Sequence, residues 1–241
     1  MRILILLLLF QSLVFSADFQ TRLSISLGPN ITFSTAKHSF YEQYNGFRIG
    51  GSKITINTLL AAGYNHRIKN NILKSISVLA ETGYNFSGYI RPTNGDFGNE
   101  GGIFFFHSLV LGLIPILNFY NNLSLGIGAG VMFPLSADID GYWDFMGYYK
   151  GVGKLSFNDI KKLCKFPVMP YVKVSVERYF NLSDIIDMIV GGIISYNFGM
   201  SCEKDILSQT RYGLSSFSYE SYKFSAITLE VFIAVGFGRP K

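Results

Sequence analysis

Four charged residues lie inside segments that otherwise alternate between apolar and small residues. They are Glu81, Lys173, Glu177 and Glu230. Because adjacent residues of a strand point to opposite faces, their positions place all four on the less apolar face. A carboxylate removed from water needs a cation or hydrogen bonds, and Lys173 is the partner that this set offers. We predict a salt-bridge cluster that fills an interior. The alternative use of the same residues is a proton path or a polar gate.

The two cysteines flank a predicted hairpin. Cys164 precedes one alternating segment and Cys202 follows the next, and the midpoint between them falls in the turn predicted at residues 181–187. In an unshifted antiparallel ladder such residues lie opposite each other, at a separation that suits a disulfide. An exported protein keeps such a bond oxidised. We therefore expect a Cys164–Cys202 disulfide, unless a bulge shifts the register and leaves two thiols.

The three histidines do not form a catalytic set. His38 falls in a predicted long loop and His66 in a predicted turn at the opposite end. His107 is followed by Ser108, a base beside a nucleophile, but adjacent strand residues face opposite sides unless the strand is bulged. No G-x-S-x-G motif, metal-spaced His/Cys cluster or phosphate loop occurs. The sequence predicts no catalytic residue, no metal site, no cofactor and no enzyme activity.

A long predicted loop, residues 138–166, is the best candidate for a contact surface. Its first half is acidic and aromatic, and its second half is basic. Loops that a rigid scaffold holds meet the surroundings, so we expect this one to bind a host ligand, a lipopolysaccharide phosphate or a neighbour, or to be solvated without a partner. It could instead extend the flanking strands or add a hairpin, which would make ten strands. The expected contact residues are Tyr142, Trp143, Phe145, Tyr148, Tyr149, Lys161 and Lys162.

Strands must position these residues, because alternation with a period of two dominates from residue 21 onward. One face of a single segment, for example, collects Leu123, Leu125, Ile127, Ala129, Val131, Phe133 and Leu135. Eight such segments are long enough to cross a bilayer with tilt. An even number of strands joined by alternating short and long connections is typical of an outer-membrane barrel. The predicted short turns are residues 66–72, 120–122 and 181–187, and the longer connections are 35–52, 91–102, 138–166 and 201–222.

Composition decides between a soluble and a membrane barrel. Charged residues make up 15% of the 241 residues and hydrophobic residues 49%, whereas an ordinary soluble domain is roughly a quarter charged. The less apolar face carries mostly Gly, Ser, Ala and Asn, which suit a narrow packed interior, and all charges other than the four named above are predicted at strand ends, turns and loops. The apolar faces therefore point to lipid, and closure satisfies the backbone.

The N-terminus has the layout of a secretory signal peptide. Arg2 precedes an apolar run from Ile3 to Phe15, and Ser16-Ala17 is a suitable cleavage junction. We predict a signal peptide at residues 1–16 and one outer-membrane barrel domain at residues 17–241. The formal net charge of +5 does not suggest nucleic-acid binding.

On this strand pattern and small-residue interior, the chain resembles the eight-stranded outer-membrane β-barrel family, typified by the transmembrane domain of outer membrane protein A and by outer membrane protein X. The resemblance implies an outer-membrane location, periplasmic short turns, four extracellular loops and insertion by the barrel-assembly machinery. The expected fold is all-β: a closed, antiparallel, up-and-down transmembrane β-barrel of eight strands.

We expect a structural or adhesive cell-surface role in a Gram-negative bacterium. The expected partners are outer-membrane lipid and lipopolysaccharide, the assembly machinery and a host or cell-surface ligand at the long loops. Two alternatives remain open. A transport barrel for small or apolar solutes would be favoured by ten strands or an open lateral side. A lipid-modifying enzyme would need His107 and a carboxylate on the same side near the outer leaflet.

Overall fold

The computed structural model describes residues 19–38, 46–68, 72–90, 103–140, 142–143, 149–150, 153–202 and 219–238. The predicted signal peptide at residues 1–16 lies outside these ranges, as do Phe145 and Tyr148 of the expected contact surface. The elements are β1 (Phe19–His38), β2 (Gly46–Arg67), β3 (Leu73–Ile90), β4 (Ile103–Phe119), β5 (Leu123–Asp140), β6 (Tyr142–Trp143), β7 (Tyr149–Lys150), β8 (Gly153–Ser156), α1 (Phe157–Leu163), β9 (Met169–Asn181), β10 (Ile186–Asn197), β11 (Ser201–Cys202) and β12 (Tyr219–Phe237).

Eight of these strands form a closed barrel. Neighbours pair antiparallel in the order β1-β2-β3-β4-β5-β9-β10-β12, and β12 pairs back onto β1. The closing register places Ile25 opposite Ile233. Because closure leaves no unpaired edge between the first and last strands, backbone donors and acceptors of the wall are satisfied within the sheet. The predicted class, a closed antiparallel up-and-down barrel of eight strands, is confirmed.

Side chains alternate across the wall as the sequence pattern predicts. On β1, Arg22 and Ser26 are buried, whereas Leu23, Ile25 and Leu27 are each about half exposed on the outer face. The same alternation runs through β9, where every second residue from Met169 to Tyr179 is buried. The small and polar face therefore lines the interior, and the apolar face forms the outside.

The connections differ from the sequence prediction at the ends of the strands. The predicted long loop at residues 35–52 is wrong over most of its length, because β1 continues to His38 and β2 begins at Gly46. The ladder between them persists to the pair Ala36↔Gly46, since antiparallel backbone pairing does not require apolar alternation. For the same reason His38 lies in a strand and not in a loop, and His66 lies in β2 and not in a turn.

The segment between β5 and β9 builds out from one rim of the barrel. Strand β8 pairs with the end of β5, and β6 and β7 form a separate two-stranded sheet. The alternative of a ten-stranded barrel is therefore wrong, because the extra hairpin lies outside the wall. The helix α1 begins after Ser156, whose hydroxyl accepts a hydrogen bond from the Asp159 amide. No helix in the described ranges is long and apolar enough to cross a membrane.

Candidate functional site

An ion-pair chain crosses the interior of the barrel. Arg22 donates from Nη1 to both carboxylate oxygens of Glu177 at 3.0 Å and from Nη2 to Glu81 Oε1 at 3.3 Å. Lys173 Nζ lies 2.6 Å from the other oxygen of Glu81. All four side chains are buried, and they come from β1, β3 and β9. Two cations thus face two carboxylates, which is the compensation that buried charges require.

Arg22 is the member of the ion-pair chain that was not predicted from the sequence. Arg22 lies four residues before Ser26 on β1, so the two side chains share the inner face of the strand. This spacing is the signal in the sequence that could have identified Arg22 as an interior residue. The prediction that only four charges lie well inside strands is wrong as well, because Lys53 is the eighth residue of β2. Arg178 faces outward and lies over the ring of Phe180, near the short-turn end of β9.

Glu230 is held apart from the ion-pair chain by neutral donors. Asn57 donates from Nδ2 to Glu230 Oε2 at 2.6 Å, and the Ser26 hydroxyl donates to the same oxygen. Asn85 in turn donates to Asn57 Oδ1 at 2.7 Å. Of the predicted interior cluster, the structure therefore brings Glu81, Lys173 and Glu177 together through Arg22, and it places Glu230 on an amide-hydroxyl network.

Aromatic rings fill the interior on the long-loop side of the ion-pair chain. The ring centroids of Tyr89 and Phe224 are 4.9 Å apart, and Phe106 lies 5.5 Å from each. Beside Lys173, a cavity of about 30 Å³ is lined by Asn57, Tyr171 and Glu230 among other residues, which is room for about two or three waters.

On the short-turn side, amide and hydroxyl groups fill the interior. Ser77 donates to Asn65 Oδ1 at 2.9 Å, and Asn118 donates to Ser77 Oγ at 2.9 Å. Ser124 then donates to Asn118 Oδ1 at 2.8 Å. The described interior is thus occupied at three levels: hydrogen-bonded amides, buried ion pairs and packed rings.

A small cap covers the long-loop end of the barrel. A disulfide joins Cys164 and Cys202, and it ties the end of α1 to the segment after β10. Ile160 of α1 is fully buried in the same apolar cluster as the disulfide and Met169. We call residues 157–168 together with this disulfide the cap.

The expected contact residues are distributed over the cap and its surroundings. Lys161 and Lys162 are exposed on α1, and the neighbouring Phe157 and Phe166 are also exposed. The β6–β7 hairpin contains Tyr142, Trp143 and Tyr149. The structure therefore places the basic part of the predicted surface on the cap.

A polar cluster interrupts the outer face near the long-loop rim. His107 Nε2 lies 2.8 Å from Asp138 Oδ2, and His107 Nδ1 is hydrogen-bonded to the Tyr84 hydroxyl. Lys154 Nζ lies 3.7 Å from the other oxygen of Asp138. We call Tyr84, His107, Asp138 and Lys154 the rim cluster. His107 and a carboxylate thus share one side of the barrel, the condition set above for the lipid-modifying alternative.

A bulge in β5 creates the rim cluster. The register shifts between His107 and Ser108, so that β5 carries one extra residue at Leu135. Before the bulge Pro134 faces inward, and after it the inward position is Ala137. Asp138 therefore faces outward, where strict alternation would have turned it into the interior. Strict alternation would likewise have placed Ser136 on the inner face, whereas the bulge sets it opposite His107 on the outer face. Ser108 itself is buried on the opposite face from His107.

Most of the rest of the described outer face is aliphatic or aromatic. Water cannot solvate such a continuous apolar surface at low cost, whereas hydrocarbon does so and the closed sheet needs no external hydrogen bonds. The chain's own exterior therefore places the barrel in a membrane. Residues exposed to at least half of their surface there include Leu23, Ile25, Leu27, Leu60, Val78, Leu113, Ile127, Leu135, Val176, Ile194, Val231 and Ile233.

Solved structures similar to this chain are outer-membrane barrels of low sequence identity. The attachment invasion locus protein Ail of Yersinia pestis is 12% identical, with a TM-score of 0.33, over 88% of this chain and 97% of Ail. OprG of Pseudomonas aeruginosa is 12% identical (TM-score 0.40) over 91% of this chain and 94% of its own. The outer membrane protease OmpT of Escherichia coli is 11% identical, with a TM-score of 0.41, over 93% of this chain and 99% of OmpT.

No protein-family model matches the chain, and no curated protein is significantly similar to it in sequence. The structural similarities are too low to assign a role. The assignment to a membrane rests on the outward aliphatic face, and the assignment to the outer membrane follows from the closed antiparallel barrel with alternating short and long connections. The chain is an eight-stranded outer-membrane β-barrel protein.

Proposed function

We propose that this protein is a closed barrel with a structural or adhesive role at the cell surface, and that the cap is its contact surface. The observation that supports a closed barrel best is the Glu177–Arg22–Glu81–Lys173 chain, which spans the lumen with buried ion pairs. An eight-stranded barrel has an interior just wide enough for its own side chains, so the protein presents surfaces and does not conduct solutes.

The chemistry of the cap fits an anionic partner. Three lysines are exposed on and beside α1: Lys161, Lys162 and Lys165. The side chains of Phe157 and Phe166 are also exposed and add apolar surface to the cap. Lysines on a protruding surface attract phosphates or sulfates over about a Debye length, 8–10 Å. We propose that a host or cell-surface polyanion, or a lipopolysaccharide phosphate, binds here. In this proposal Tyr142, Trp143, Phe145, Tyr148 and Tyr149 complete the surface.

The remaining partners are also proposals. Insertion of a closed barrel into an outer membrane requires the barrel-assembly machinery, and the outward aliphatic face requires lipid and lipopolysaccharide around it. We propose no catalytic activity. Both ring nitrogens of His107 are already engaged by Tyr84 and Asp138, and Ser108 faces the interior.

Two measurements test this proposal. In planar bilayers the wild-type protein should give no steady current, and large steady currents would contradict a closed barrel. On a heparin surface the double variant Lys161→Gln/Lys162→Gln should lose about tenfold in affinity, and the double arginine variant should retain it. Arg67→Gln is the matched control, because Arg67 is exposed at the opposite end of the barrel. An equal loss in the control, or none in the lysine variant, would contradict the cap as contact surface.

Transport of apolar solutes is the second candidate, and one irregularity of the wall supports it. In the β1–β12 ladder the pairing passes from Leu27↔Val231 to Asn30↔Thr228, and Pro29 between them has no amide hydrogen to donate. An apolar groove on the outer face runs over this gap. If the gap opens laterally, Pro29→Val should reduce uptake of a fluorescent alkane into vesicles. Equal uptake with protein-free vesicles would exclude this candidate.

A further inference from the structure

We propose that the rim cluster is a binding site for the phosphorylated sugar headgroup of an outer-leaflet glycolipid. The inference rests on the membrane placement of the barrel and is independent of any adhesive role of the cap. Asp138 and Lys154 are the groups that contact the headgroup. His107 is a positioning residue, because it uses both ring nitrogens to hold Asp138 and Tyr84 in place.

The rim cluster lies at the depth where lipid headgroups begin. Tyr84 is 11 residues beyond the start of β3 at Leu73, and His107 is 12 residues before the end of β4 at Phe119. With a rise of about 3.3 Å per residue and a strand tilt of about 40°, both lie about 28–30 Å above the short-turn ends. The apolar band of such a barrel is about 25 Å tall. The cluster therefore faces the outer leaflet just above its hydrocarbon.

The accessible groups of the cluster suit a ligand with both hydroxyls and phosphate. The Asp138 side chain is 40% exposed and the Lys154 side chain 73% exposed, with 3.7 Å between Lys154 Nζ and Asp138 Oδ1. A carboxylate accepts hydrogen bonds from sugar hydroxyls, and a lysine ammonium pairs with phosphate as a point charge. A phospholipid phosphate alone would meet the lysine but would leave the carboxylate facing an anion.

Aromatic rings next to the cluster provide the apolar part of such a site. The rings of Phe86 and Phe105 are parallel, with centroids 5.3 Å apart, and His107 lies 5.1 Å from Phe86. All three side chains are on the outer face and partly exposed. Aromatic side chains are favoured where one side is apolar and the other wet, and the carbon face of a sugar ring packs against them.

The β5 bulge is an independent reason to regard the cluster as a site. Bulges are over-represented beside functional sites, where they redirect a side chain. Here the extra residue turns Asp138 from the interior to the lipid side. A carboxylate that faces the outer leaflet is costly unless a partner compensates its charge. His107 and Lys154 occupy only part of the hydrogen-bond acceptor capacity of Asp138.

The test is lipid binding by the full-length barrel in detergent micelles, measured by native mass spectrometry. The probe is a synthetic, doubly acylated, phosphorylated glucosamine disaccharide. Its comparators are the same lipid without phosphate and phosphatidylethanolamine. Heat-modifiable gel migration shows that each variant is folded.

We expect the phosphorylated probe to bind at least tenfold more tightly than either comparator. Lys154→Gln should weaken its binding about tenfold and remove the preference for phosphate, and Lys154→Arg should restore both. Asp138→Asn should weaken the phosphorylated and unphosphorylated sugar lipids alike. Arg67→Gln, which removes an exposed charge at the opposite end of the barrel, is the control and should change nothing.

Three results would overturn the proposal. Phosphatidylethanolamine could bind as tightly as the glycolipid, Arg67→Gln could weaken binding as much as Lys154→Gln, or both rim variants could bind like the wild type. The first would indicate nonspecific lipid binding, and the second a general effect of net charge. Each measurement is repeated in the Lys161→Gln/Lys162→Gln background, so that phosphate binding by the cap does not contribute and failure here is distinguishable from failure of the proposed function.

Discussion

Nη1 of Arg22 lies 3.0 Å from each carboxylate oxygen of Glu177, although the two residues are 155 positions apart in sequence. The guanidinium also reaches Glu81 through Nη2. One side chain on the first strand of the barrel thus connects carboxylates on β3 and β9 across the lumen. Because these side chains are buried, breaking the pair would leave an uncompensated buried carboxylate, and that cost exceeds the attraction that the pair itself contributes.

Removing Arg22 should therefore destabilise the barrel strongly. The variant Arg22→Met leaves Glu177 without its cation, and we expect a loss of about 3–5 kcal/mol in the free energy of unfolding. Urea unfolding in lipid vesicles measures it. Arg178→Met is the control, because Arg178 is exposed on the same strand as Glu177 and should cost less than about 1 kcal/mol. Equal losses in the two variants would show that the ion-pair chain does not stabilise the lumen.

Replacing Lys173 should destabilise the barrel without opening it. In Lys173→Met, Glu81 keeps the Arg22 contact at 3.3 Å, so we expect a smaller loss than for Arg22→Met and a lower unfolding temperature in detergent. The packed rings and the amide network remain in place, and conductance in planar bilayers should stay at background. A variant that gains steady current while remaining folded would mean that Lys173 alone closes the lumen.

The start of α1 should depend on Ser156. Its hydroxyl accepts from the Asp159 amide at 3.4 Å, and its own hydroxyl and amide donate to Asp159 Oδ2 at 2.6 and 3.0 Å. Ser156→Ala should cost about 1 kcal/mol of local stability, seen as faster amide exchange in residues 157–163. Unchanged exchange there would contradict this role, and exchange in β9 serves as the internal control.

The same contact predicts a pH dependence of the cap. Hydrogen bonds from Ser156 lower the pKa of Asp159 below its usual value of 3.8. A carboxyl group with a depressed pKa in the folded state stabilises it above the unfolded pKa and loses this effect as the pH falls through the folded value. Amide exchange of α1 should therefore be constant from neutral pH down to about pH 4 and should rise below it, after correction for intrinsic rates. Asp159→Asn should remove the dependence, and a dependence that persists in that variant would contradict the assignment.

The disulfide should protect the cap and leave the barrel unaffected. In freshly isolated, unreduced protein, Cys164 and Cys202 should resist alkylation. After reduction the end of α1 is no longer tied to the segment after β10, so proteases should cleave within residues 157–168 while heat-modifiable migration persists. Cys202→Ser should behave like the reduced protein. Ready alkylation of both thiols before reduction would contradict the bond, and loss of migration on reduction would mean that it stabilises the whole barrel.

The sequence predicts the wall of this barrel well and its rim poorly, for physical reasons. Alternation reports which side of a strand meets lipid, so the eight strands and the inward position of Glu81 follow from it. Above the membrane both faces of a strand meet water, and the alternation that would reveal residues 35–38 and 46–52 as strand is lost. Arg22 was missed because it lies near a strand end, although its parity identifies it.

The β5 bulge limits what alternation can predict. A single extra residue at Leu135 reverses the parity of everything after it, and no residue type in this segment signals that insertion. The contact between His107 and Asp138 was therefore beyond the sequence analysis. The disulfide was predictable in outline because Cys164 and Cys202 flank one hairpin, but the helix that it ties down was not, since α1 is only 7 residues long.

The central claim is that hydrocarbon covers the outward aliphatic face, and fluorescence quenching by lipids with brominated acyl chains tests it most directly. In a background of Trp143→Phe, which removes the one natural tryptophan, a tryptophan is introduced either by Val231→Trp on the exposed outer face or by Phe232→Trp on the buried inner face. Brominated lipids should quench the fluorescence of the Val231→Trp variant strongly and that of the Phe232→Trp variant weakly. Quenching of the second variant and not of the first, or of neither, would contradict the orientation of every strand in the barrel.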